Sequence, residues 1–88
     1  MGEVAITFEI MPDGPEIDLE GIKAKVNEKI GGISKIEQTE IKPIAFGLKA
    51  LVMNVVVEDQ EGIMDRLEEE IASVEGVQNA KVVTMTLV

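Results

Sequence analysis

The chain has 88 residues and a net charge of −9, from 8 Lys+Arg against 17 Asp+Glu. Hydrophobic residues make up 45% and aromatic residues 2%, enough for one modest core built from Val, Ile, Leu and Met. Cys and His are absent, which excludes disulfides, thiolate zinc sites, thiol nucleophiles and imidazole acid–base chemistry.

Residues Val4 to Ile10 alternate Val4, Ile6, Phe8, Ile10 with Ala5, Thr7, Glu9. That period of two predicts a strand with one buried face. Met11-Pro12-Asp13-Gly14-Pro15 stops it, because two prolines and a glycine cannot continue a ladder. A helix follows. Asp18 is its expected N-cap, with Ile17 and Ile22 placed as a hydrophobic staple. Ile22, Val26 and Ile30 recur at spacing four, and Leu19 joins their stripe. Gly31-Gly32 is expected to end the helix through a left-handed cap.

Ile33 to Ile44 reads as a weak, polar strand rich in Lys and Glu. Such charges suit a sheet edge, where they discourage pairing with other chains. Leu48 to Glu58 is the strongest strand, apolar on both faces and so expected to be central. A second helix is predicted over Gln60–Val74, with Asp59 as N-cap and Ile63, Leu67, Ile71 and Val74 inward. Gly76 stops it, and a last strand runs over Val77–Val88. The order β-α-β-β-α-β predicts one α+β domain over residues 1–88, of ferredoxin-like shape. Its four-stranded antiparallel sheet carries both helices on one face.

Several chemistries are disfavoured. The negative field repels phosphate backbones and anionic membrane surfaces, so no direct nucleic acid and no membrane is expected as partner. A basic protein surface is the favoured partner. The sheet strands lack the exposed aromatics that stack RNA bases. Arg66 sits mid-helix and is expected to pair with Glu70. The run Glu68-Glu69-Glu70 fans out around the helix axis, so a solvated face is expected there, not catalysis or metal binding. No metal site, cofactor or catalytic residue is therefore assigned. No secretory leader is read, and the longest apolar stretch, Ala50–Met53, falls far short of a membrane span. A cytoplasmic location is the expectation.

One segment stands apart. Ile41 to Val57 contains no acidic residue, and Lys42 and Lys49 are its only charges. Within it, Lys42-Pro43-Ile44-Ala45-Phe46-Gly47-Leu48 connects the second and third strands. Pro43 stiffens the entry and Gly47 permits a positive φ just after the ring of Phe46. Two readings fit Phe46: an apolar anchor for a partner, with lysines around it, or a cap folded back on the core.

The block Pro43-Ile44-Ala45-Phe46-Gly47-Leu48-Lys49-Ala50-Leu51, then Val55-Val56-Val57-Glu58-Asp59, then Leu67-Glu68-Glu69-Glu70-Ile71 resembles the catalytic domain of the elongation factor 1-beta family. The resemblance spans essentially the whole chain and is nearest the short archaeal form. It implies a guanine-nucleotide exchange factor for the translation elongation GTPase, elongation factor 1-alpha, and no enzyme of covalent chemistry. It implies partner-binding roles for Pro43, Phe46, Gly47 and Lys49. Eukaryotic members place a lysine beside their last residue to probe the magnesium site of the GTPase. This sequence closes Thr86-Leu87-Val88, with no lysine after Lys81. The alternative is a regulatory domain that binds a free amino acid beside the loop Met11–Glu16.

Overall fold

The computed structural model describes residues 2–44 and 47–88. The elements are β1 (Glu3–Pro12), α1 (Leu19–Ile30), β2 (Lys35–Pro43), β3 (Lys49–Glu58), α2 (Ile63–Ala72) and β4 (Val77–Leu87). The strands form one sheet in the order β2-β3-β1-β4. Its three pairings are all antiparallel. This is the expected ferredoxin-like arrangement, with β3 and β1 central and the charged β2 at one edge.

Alternation decides which side of the sheet is covered. Val4, Ile6, Phe8 and Ile10 of β1 lie opposite Val57, Val55, Met53 and Leu51 of β3. All eight are buried. The two helices cover them with Leu19, Ile22, Val26 and Ile30 from α1 and Ile63, Leu67 and Ile71 from α2. Phe8 is fully buried among aliphatic neighbours. The other face of the sheet stays open to solvent. There the Thr7 hydroxyl donates to Asn54 Oδ1 at 2.6 Å across β1 and β3, and Lys81 Nζ lies 3.6 Å from a Glu9 carboxylate oxygen across β1 and β4.

Asp18 caps α1 as expected, its side chain accepting from the Glu20 N–H at 3.1 Å. The far end of α1 differs from expectation. Gly31 is right-handed (φ −62, ψ −23), not left-handed. The orphan carbonyl of Ile30 is satisfied instead by the N–H groups of Ile33 and Ser34 and by the Ser34 hydroxyl at 2.7 Å. A serine three residues past the expected stop supplies what a left-handed glycine would have supplied.

The start of α2 is also corrected. Asp59 does not cap it, because its N–H donates to the Gly2 carbonyl at 2.9 Å and so continues the β1–β3 pairing. The chain turns through Gln60 and Glu61, and Gly62 at φ 77 takes the N-cap position with no side-chain cap. Among the described residues the ion pairs within 4 Å are Lys35–Glu37 and Lys81–Glu9, so Arg66 does not pair with Glu70. Gly76 has φ 96, and its carbonyl accepts from the Asp13 N–H at 2.9 Å. That bond ties the α2–β4 turn to the loop after β1.

Truncating Phe8 would leave a void under both helices. Phe8→Ala is expected to cost about 3–5 kcal/mol of stability, read as a lowered midpoint in urea denaturation.

Candidate functional site at the loop end of the sheet

The antiparallel register sets which loops meet. Ile10 lies opposite Leu51, Pro43 opposite Lys49, and Pro12 opposite Val77. The β1–α1 loop, the β2–β3 hairpin and the α2–β4 turn therefore gather at one end of the molecule. The start of β1, the residues before α2 and the last residues of β4 gather at the other, where Val4 pairs with Leu87. A ten-residue strand such as β1 holds the two ends about 30 Å apart.

The hairpin is closed by the Ile44 N–H, which donates to the Leu48 carbonyl at 2.9 Å. Gly47 has φ 79, in the left-handed region that favours glycine. Phe46, the expected anchor, lies outside the described residues, as does Ala45. The other expected site residues come together at the hairpin: Pro43 and Lys49 face each other as a cross-strand pair, and Gly47 adjoins them. All three are exposed.

A cleft of about 340 Å³ opens beside this hairpin. Lys49, Gly47 and Ile41 form one wall, and Pro12, Gly14, Pro15, Ile17 and the start of α1 form the other. Ile41 and Ile44 keep 38% and 48% of their surface in solvent, a high share for isoleucines beside a partly apolar cleft. The sequence reading named the proline loop and the segment from Ile41 separately but not their meeting, because their approach depends on pairing between distant segments. The loop that an amino-acid-binding reading would use lines the same cleft, so both readings converge on this end.

The tertiary structure also changes the electrostatics. The segment Ile41–Val57 is free of acids in sequence, but Asp18 and Glu20 at the start of α1 line the cleft near Lys49. The hairpin is therefore a lysine-bearing strip with acidic groups across the cleft. Among the described residues no three carboxylates gather as a metal site would require. Nor, among the described residues, is any helix long and apolar enough to cross a membrane.

The Gly47 tip isolates a conformational cost from a packing cost. A Cβ there meets nothing within 4 Å, so Gly47→Ala carries only the penalty of the left-handed backbone. It is expected to lower stability by about 1 kcal/mol, measured by chemical denaturation, with strand content by circular dichroism unchanged.

Residues 5–88 match the family model of the EF-1 guanine nucleotide exchange domain. An elongation factor 1-beta of Methanosphaerula palustris is 45% identical over 87 residues, covering 99% of each chain. Those of Methanothermobacter thermautotrophicus and Archaeoglobus fulgidus are 42% and 41% identical, covering 93% and 99% of this chain and 92% and 99% of their own. Among solved structures, the C-terminal domain of the MgtC protein from Mycobacterium tuberculosis superposes with a TM-score of 0.64 at 12% identity. That match covers 99% of this chain and 88% of the other, a likeness of fold alone. Family model and relatives agree over nearly the whole length, and the chain belongs to the elongation factor 1-beta family of guanine-nucleotide exchange domains.

Proposed function

We propose that this protein promotes GDP release and GTP reloading on elongation factor 1-alpha by protein–protein contact, in the cytoplasm where translation proceeds. The observation that carries the reading is membership of the exchange-domain family over residues 5–88. It accords with a chain that has no Cys, no His and, among the described residues, no convergent carboxylate cluster.

Exchange requires no covalent step on the factor. A factor that binds the nucleotide-free GTPase better than the loaded one weakens nucleotide binding by the same ratio, because the coupling is reciprocal. A thousandfold weakening takes about 4 kcal/mol of differential contact. A handful of well-placed residues supplies that much. We place the contact at the β2–β3 hairpin: Phe46 as the apolar anchor, Pro43 and Gly47 as the frame that presents it, and Lys49 as a charge at the rim. The exposed Ile41 and Ile44 extend the apolar surface beside it. The net charge of −9 guides the factor toward basic surface on the GTPase and away from tRNA.

The test uses the cognate GTPase loaded with a fluorescent GDP analogue. Adding the factor should accelerate nucleotide release, and an unchanged rate would sink the proposal. Phe46→Ala should slow the stimulated release by about tenfold or more, the factor that 1.4 kcal/mol of lost contact sets. Circular dichroism should show its fold intact. Lys49→Ala, which takes the net charge from −9 to −10, should leave the charge-steered association rate undiminished and instead speed dissociation through the lost rim contact.

A further inference from the structure

The wall of the cleft that faces the β2–β3 connection is built on the loop of residues 13–18, between β1 and α1. Local bonds shape this loop without placing it. The Ile17 N–H donates to the Gly14 carbonyl at 3.2 Å, and Asp18 turns its carboxylate to the Glu20 N–H of its own helix. Among the described residues one hydrogen bond leaves the loop for a distant part of the chain, from the Asp13 N–H to the Gly76 carbonyl at 2.9 Å. Among the same residues no hydrogen bond or ion pair joins the loop to the β2–β3 connection across the cleft. The loop is therefore held from behind, by the turn between α2 and β4.

At that turn only a glycine meets both local requirements. The backbone of Gly76 has φ 96, which L side chains rarely adopt. A Cβ there would also stand 3.3 Å from Ile17 Cγ2, closer than apolar carbons rest. Ile17 links the two sides. It lines the cleft on one side and comes against residue 76 on the other. Gly76 itself does not line the cleft.

We infer that Gly76 is a positioning residue for the exchange surface. Through the Asp13 bond and the close approach of Ile17, it sets where the proline loop stands relative to the β2–β3 connection. The assignment rests on the exchange function proposed above. A GTPase seated on that connection lies against a cleft whose opposite wall is the proline loop. Contacts around an anchor act by excluding water from it, and they do so only when the surrounding surface stands in the right place. A shift of the loop therefore weakens engagement of the GTPase, although residue 76 never touches it. Packed elements pass such a shift on because they do not deform continuously.

Gly62 supplies a matched control. It too has a left-handed backbone, at φ 77, but a Cβ there meets nothing within 4 Å. It lies before α2, at the opposite end of the molecule from the cleft. Gly76→Ala and Gly62→Ala are compared on the full chain, at a temperature where circular dichroism shows each fully folded. Amide hydrogen exchange followed by NMR should show the Asp13 N–H exchanging faster in Gly76→Ala and unchanged in Gly62→Ala. With the cognate GTPase carrying a fluorescent GDP analogue, Gly76→Ala should raise the factor concentration for half-maximal release by about threefold or more. Gly62→Ala should leave it unchanged. Should Gly76→Ala fail to fold, Gly76→Asn, a residue type that visits the left-handed region, makes the same comparison through its Cβ. A faster Asp13 amide with equal half-maximal concentrations in the two variants overturns the inference. So does an Asp13 amide that stays protected in a folded variant at position 76. An unaltered chain that fails to accelerate release overturns the exchange function itself, a result read before any variant is made.

Discussion

The structure depends on one covered face of one sheet. Among the described residues the core has a single buried aromatic, Phe8, and otherwise consists of aliphatic side chains, Ala50 and Met53. Such a core holds together only if the alternating residues of β1 and β3 fall on the same side and both helices close over them. A slip of one residue between β1 and β3 would turn Val4, Ile6, Phe8 and Ile10 to solvent. The Ile6–Val55 and Phe8–Met53 pairings are thus the register on which helix packing, loop placement and both edges rest.

That register has a consequence for function. Because every pairing is antiparallel, the loops sort strictly into two ends, and the molecule extends 42 Å along its long axis. The hairpin with Pro43, Gly47 and Lys49 belongs to one end, together with the proline loop and the start of α1. The distal half of β4 belongs to the other. A resemblance to eukaryotic exchange factors leads one to look for a lysine near the end of the last strand. Here that strand carries Met85, Thr86 and Leu87, and its lysine is Lys81.

An exchange factor needs binding energy that differs between two states of its partner, not a reactive group. On the reading proposed above, the surface around the β2–β3 connection meets that need. Pro43 and Lys49 are held by cross-strand pairing, and Gly47 beside them takes a left-handed backbone at φ 79. The cleft beside the hairpin adds apolar wall from Ile41 and Ile17. The acidic groups across it, Asp18 and Glu20, are where the first turn of α1 favours negative charge.

The sequence by itself determined the element order, the inward faces and the Asp18 cap, because each follows from periodicity or from hydrogen bonds within a few residues. It also marked the segment around Pro43 and Gly47, through the lack of acids and the turn chemistry. The helix boundaries at Gly31 and Asp59 were decided by tertiary structure. Ile30 found a serine hydroxyl beyond the glycines, and Asp59 was drawn into pairing with Gly2. The meeting of Ile41 with the proline loop, and of Asp18 with the neighbourhood of Lys49, also needed the fold, since these groups are distant in sequence and close only once β1, β2 and β3 align. The contrast between the two edges was half legible. The charges of β2 announced an edge, but the strand order was needed to show that β4 is the other one. Local pattern fixes which residues face inward; only long-range pairing decides which neighbours, and which unpaired edges, they are left with.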